Sequence, residues 1–289
     1  MSALPVELYP VELYRLIAEH TDSKADIFLL MQTSWAFYHD LEGIYYKEFS
    51  LKKKHLGILD EVIQVFDRNP QRFSFVTTLK LLLHEQITGP RLLELSLFIS
   101  RFSSLHYLDL QTGRSDLHAL LHGCNFQLRR FDYGGEGHNY LQPFLASQSR
   151  IRHLSVQFYR SKEALPPTIL PLLHILDGPA NLARAFMPKR SIERLYWSTS
   201  STAYLYENGP FPAIKVLKFA TTVRSIGTIG LDTITPNLRY LEWELHRLDF
   251  QVCSQFSTEA LLNITVEQTA LIPTEVSPHT YHHRLQHPM

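Results

Sequence analysis

Apolar residues recur through most of this chain on one short template: an apolar position, two variable ones, an apolar, a variable and an apolar. Val76, Leu79 and Leu81 fit it, as do Leu105, Leu108 and Leu110; Leu128, Phe131 and Tyr133; Ile151, Leu154 and Val156; Ile192, Leu195 and Trp197; Ile214, Leu217 and Phe219; Leu238, Leu241 and Trp243; and Leu261, Ile264 and Val266. A weaker ninth, Leu173 and Leu176 with Gly178 in the last place, fills the gap between Leu154 and Leu195. The last two apolar positions lie two apart, the alternation of a strand with one buried face. Successive central positions stand 19 to 29 residues apart, about 23 on average, a period that suits a short strand followed by a return segment. Such a unit cannot bury its apolar edge alone, so neighbours stack and their strands pair in parallel. The return segments agree. Gly89-Pro90 followed by Leu92, Leu93, Leu95, Leu97 and Phe98 predicts a helix, Leu117 to Leu121 another, and Gly178-Pro179, Gly209-Pro210 and Thr235-Pro236-Asn237 mark turns. The rival architecture is an antiparallel sandwich with strands at similar spacing.

Ahead of the template the period changes. Leu13, Leu16 and Ile17 form one apolar face at helical spacing, and Ile27, Leu30 and Met31 continue past Ser34 into Phe37 as a second. Pro10 suits a helix start, where its missing N–H costs nothing, and Glu12 then meets the positive end of the macrodipole. Residues 5 to 9 duplicate residues 10 to 14. Were the first copy to open the helix, Pro10 would lie inside it at a cost of about 3 kcal/mol, so that copy is a lead-in. Leu59, Val62, Ile63 and Phe66 predict a helix over 58–67, and Lys52-Lys53-Lys54-His55 reads as a solvated face. The organisation is therefore a helical head (1–50), a helical linker (51–75), a repeat body of about nine units (76–270) and a tail (271–289).

The head resembles the F-box-like proteins, whose motif opens Leu-Pro-x-Glu-Leu-x-x-x-Ile, continues with Asp-Leu, and ends on a small-residue step and an aromatic. The second copy supplies Pro10, Glu12, Leu13 and Ile17 in register, Asp26-Ile27 follows, and Thr33-Ser34-Trp35-Ala36-Phe37 is similar to the ending of fungal members, with Trp35 where arginine is usual. Tyr9 replaces the leading leucine, and one extra residue separates Ile17 from Asp26. The body resembles degenerate leucine-rich repeats, since the asparagine that such repeats carry eight residues after the first apolar position is absent. The resemblance implies an α/β fold, a short helical head followed by a leucine-rich-repeat-like solenoid with a parallel sheet. It also implies a substrate-recognition adaptor of a cullin-RING ubiquitin ligase. The head would dock a Skp-type adaptor protein through Pro10, Leu13, Ile17, Ile27, Leu30 and Phe37, and the body would hold a protein substrate. The alternative is a non-catalytic interaction scaffold whose head only caps the array.

The outward positions of the template strands form the expected substrate row: Tyr107, Asp109, Arg130, Asp132, His153, Arg194, Tyr196, Lys218, Tyr240 and Glu242. Tyr and Arg recur there, the types that dominate binding hot spots. Lys+Arg and Asp+Glu both number 28, so net charge is zero and neither nucleic acid nor an anionic membrane is implied as the main partner. The N-terminus lacks a basic and apolar leader, and no run of 18 apolar residues occurs, so the expected location is intracellular, cytoplasmic or nuclear. Cys124 and Cys253 are too few and too far apart for a metal cluster or disulfide scaffold and are expected as free buried thiols. No nucleophile elbow, Walker loop or His-Glu-x-x-His occurs, so no catalytic residue, metal or cofactor is assigned. The tail is expected to place a short plug at Leu271-Ile272-Pro273 ahead of an unstructured end, or to continue further.

Overall fold

In the computed structural model, residues 10–21, 23–83, 89–112, 117–135, 141–161, 164–198, 209–221, 234–245, 264–267 and 281–286 are described, and every structural statement concerns these. The lead-in copy before Pro10, the Leu271-Ile272-Pro273 plug and Cys253 lie outside them. Internal contacts divide the chain into two units, Met1–Leu128 and Arg129–Met289. The fold is mixed α/β with parallel strands in each unit.

The first unit opens with three helices, α1 (Val11–Glu19), α2 (Lys24–Thr33) and α3 (Trp35–Lys47). Pro10 stands at the N-cap of α1, as its fixed φ favours. Ser23 Oγ accepts from Asp26 N–H (3.3 Å) and Ser34 Oγ from Phe37 N–H (3.2 Å), so a serine cap starts each of the next two helices. Ile27, Met31, Phe37 and Leu41 close a small core with Ala18, and Tyr14 meets Phe37 edge-on at 4.1 Å between ring centroids. Next come β1 (Glu48–Lys52), a 3-10 segment (Lys53–Ile58), α4 (Leu59–Arg68), α5 (Arg72–Phe75), β2 (Thr78–Leu82), α6 (Pro90–Ser100), β3 (Tyr107–Gln111) and α7 (Leu117–Leu121). β1 pairs in parallel with β2, and β2 with β3, Leu79 facing Leu108 and Leu81 facing Leu110. Beneath them Phe49, Phe66, Phe73, Phe98 and Phe102 cluster, with centroids about 5 Å apart for Phe66–Phe73 (4.9 Å) and Phe98–Phe102 (5.0 Å). A strand thus spans the boundary between the segments read as head and helical linker. Glu48 to Lys52 carries the period-two alternation, but over five residues that sit against a basic run.

The second unit contains β4 (Arg130–Tyr133), α8 (Leu141–Ser147), β5 (His153–Val156), β6 (Ile175–Gly178), α9 (Ala180–Phe186), β7 (Arg194–Ser198), β8 (Val216–Thr221), β9 (Tyr240–Leu245), β10 (Ile264–Glu267) and β11 (Tyr281–Gln286). From β4 to β9 each strand pairs in parallel with the next, and Phe131, Leu154, Leu176, Leu195, Leu217 and Leu241 fall in one register. The first five of these six and their template partners Leu128, Ile151, Leu173, Ile192 and Ile214 are buried, as the template requires. The weak ninth segment is a true strand. Gly178 takes its last apolar place at φ +152 because a Cβ there would stand 2.4 Å from Val156 O and 2.7 Å from Leu182 Cδ2. The end of the unit departs from expectation. β11 pairs antiparallel with β9, and β10 antiparallel with β11, so the last template segment does not continue the parallel run and part of the tail is strand.

Candidate interaction surfaces

Helix α1 turns Tyr14 and Ala18 inward and leaves Leu13, Leu16 and Ile17 on its outer face, at 43%, 51% and 54% exposure. α2 buries Ile27 and Met31 while Phe28 and Leu29 stand outside at 45% and 58% exposure. Trp35, at the start of α3, is 75% exposed, stacked on Tyr38 (5.7 Å) and edge-on to His39 (4.3 Å). Grouped on one small bundle, these side chains make an exposed apolar patch of the kind that suits a partner. Of the six residues expected to dock an adaptor, Pro10, Leu13 and Ile17 are exposed and Leu30 is half-buried. Ile27 and Phe37 are 5% exposed and pack inside the head. Leu16, Phe28, Leu29 and Trp35 were not assigned. Their signal was present, since α1 and α2 carry apolar residues on more sides than one core can cover.

The head is fastened at α3. Glu42, buried, receives Arg72 Nε–H (2.7 Å) and Asn69 Nδ2–H (3.2 Å), and Tyr38 Oη–H donates to its Oε1 (3.2 Å). Arg72 also donates to Tyr38 Oη and Val65 O, both at 2.6 Å, and lies over the Tyr46 ring at 5.0 Å. Lys24 Nζ bonds Glu48 O, and burial lowers its pKa from the usual lysine value.

The outward strand positions form two rows in the second unit. Arg130, His153, Ile175, Arg194, Val216 and Tyr240 share the first strand position, and Asp132, Ser155, Asp177, Tyr196, Lys218 and Glu242 the third. The structure thus aligns eight of the ten expected substrate residues, while Tyr107 and Asp109 lie on β3 in the first unit. Much of this face is laced internally. Arg130 grips Asp132 with two nitrogens (3.1 and 2.7 Å), Ser155 Oγ–H donates to Asp177 (3.0 Å), and Lys218 pairs with Glu242 (3.2 Å). Burial raises the Asp177 carboxyl above the usual carboxylate range, against the hydrogen bond from Ser155.

Burial pushes the Cys124 thiol up to about 12, so it stays protonated and inert at neutral pH. Among the described residues no three His, Cys, Asp or Glu side chains converge as a metal would require, and no helix is long and apolar enough to cross a membrane. A hollow between Met187–Ile192 and Pro210–Ile214 is lined by Arg190, whose guanidinium donates to the carbonyls of Phe186 (2.8 Å) and Ile169 (3.0 Å) and so staples loops together. Comparison of the chain with models of known protein families and with curated proteins finds no match.

Proposed function

We propose that this protein is a non-catalytic adaptor whose head docks a Skp-type protein of a cullin-RING ubiquitin ligase and whose leucine-rich-repeat-like body holds a protein substrate. The supporting observation is the outer apolar face of α1, with Leu13, Leu16 and Ile17 exposed at i, i+3 and i+4 on a bundle whose own core is already closed. A helix in this state supplies the desolvated anchors from which helix-in-groove interfaces draw affinity. The motif residues Pro10, Leu13 and Ile17 lie on that face or at its start, in the register the F-box resemblance requires. The competing role, a head that only caps the array, draws on the Glu42–Arg72 network that fastens α3 to α5.

The test is a pull-down of the full chain with purified Skp-type adaptor. Leu16→Asp and Ile17→Asp, both exposed, are expected to leave the thermal midpoint unchanged and to remove adaptor binding, while Leu93→Asp, an equally exposed leucine on α6, leaves binding intact. A wild-type chain that captures no adaptor returns the head to the role of a cap.

A further inference from the structure

We infer that the N-terminal edge of the second unit's parallel strands docks an acidic segment of a partner protein. The inference rests on the proposed role of the body as a protein-binding array and does not depend on the head.

The residues just ahead of β4 to β9 are Arg129, Arg152, His174, Glu193, Lys215 and Arg239, and they form one ladder. Each N–H donates to the carbonyl of the preceding member: Arg152 to Arg129 (2.8 Å), His174 to Arg152 (3.1 Å), Glu193 to His174 (2.9 Å), Lys215 to Glu193 (2.8 Å) and Arg239 to Lys215 (2.8 Å). Four of the six are cationic, and Arg194 adds a fifth cation one residue on. Glu193 is engaged by Lys215 at 3.0 Å. Arg129, Arg152, Arg194 and Arg239 are exposed, and none is in an ion pair among the described residues. In a chain of zero net charge this is a segregated basic edge.

The template does not impose it. At the same place in the first unit, ahead of β1, β2 and β3, stand Lys47, Thr77 and His106, bonded in the same way (Thr77 to Lys47, 3.0 Å; His106 to Thr77, 2.9 Å). The cluster of charge therefore belongs to the second unit, since Thr77 makes the same backbone bonds without it.

Strands about 4.8 Å apart give six rungs a length of roughly 24 Å. An extended chain at about 3.3 Å per residue covers that with about seven residues. Unpaired guanidiniums at fixed intervals suit carboxylates or phosphorylated side chains, which they hold bidentately. A nucleic acid fits less well, because Glu193 interrupts the cations at mid-ladder and His174 is the one ring among the six rungs, too few for successive bases to stack on.

The experiment measures fluorescence anisotropy of a labelled poly-glutamate peptide against the full chain, beside a thymidine oligonucleotide of equal charge and anionic phospholipid vesicles. The peptide is expected to bind at low salt, to weaken as salt is added, and to lose about tenfold or more in affinity with Arg152→Glu plus Arg239→Glu. Arg68→Glu, a cation on α4, should change nothing. Should the reversal variant fail to reproduce the wild-type circular dichroism, Arg152→Gln plus Arg239→Gln carries the test. Absent peptide binding, binding unchanged in either folded double variant, or tighter capture of the oligonucleotide or vesicles through the same arginines would overturn the inference. Head variants that lose the adaptor should bind the peptide as wild type does, which separates this result from the fate of the ligase reading.

Discussion

His153 stands half-buried at the first position of β5, between Arg130 on β4 and Ile175 on β6, and its Nε2 has no hydrogen-bond partner. Burial first, then repulsion from Arg130, with His174 and Arg194 adding and Asp132 opposing, pushes its pKa down to about 4. The unfolded chain, with a histidine pKa of about 6.5, binds the proton more readily, so this contribution to stability is fully present above that value. It is lost as pH falls from about 6.5 through about 4. Asp177, raised by burial, acts in the opposite sense, its contribution being present at low pH and lost as pH rises through its folded value. His153→Gln should therefore flatten the fall in denaturant midpoint between pH 6.5 and 4, and an unchanged slope would show that His153 is hydrated in solution. The alternation that put Arg130 and His153 on the outward face was legible in the sequence, because period two fixes the face. The partial burial of His153 was not, since it depends on the height of the neighbouring side chains in a register that only pairing sets.

At the scale of elements, the junction of α3 and α5 carries the most consequential polar contact of the first unit. Glu42 and Arg72 have side chains 6% and 11% exposed and sit 2.7 Å apart. Removing one partner of a buried pair strands the other, at about 3–5 kcal/mol. Arg72→Met should lower stability by that order, while Glu42→Gln with Arg72→Met should lose less, because no unpaired charge remains. Chemical denaturation of the three proteins checks this, and a double variant as damaged as the single one would place the effect in packing against Tyr46. Neither residue was legible as a pair, being thirty positions apart with no periodicity to join them. The template strands were legible since each repeats three apolar places over six residues, and α4, found at Leu59–Arg68, followed from a strong helical period. The elements missed, β1, α5, α8, α9 and β11, have four to seven residues, too few to complete a periodic signal. In the head both faces of α1 are apolar, so sequence alone could not tell that Tyr14 and Ala18 face inward and Leu13, Leu16 and Ile17 outward.

At the scale of the whole chain, a parallel array must end, and the strand left last presents a row of unpaired N–H and C=O groups on which another molecule can add. The sequence suggested a short plug after the last template segment, because twenty polar-rich residues offered no further repeat. The structure ends the parallel run differently. β11 reverses direction against β9, Tyr281 facing Leu245 and Gln286 facing Tyr240, and β10 closes on its far side with Ile264 facing Leu285 and Glu267 facing His282. β11 is thus bonded along both edges, and the strand now outermost among the described residues, β10, has only four residues. A short edge strand is a poor template for addition, whereas β9 has six residues and would be a better one. Two outcomes follow from this arrangement. The amides of Tyr281–Gln286 should exchange with solvent about as slowly as those of β9, read by hydrogen–deuterium exchange mass spectrometry. A chain ending at residue 275 should lose protection in β9 and self-associate, read by light scattering against the full chain. Rapid exchange in 281–286 together with a monomeric truncated chain would mean that β9 is the true last strand, protected by its own twist or charge.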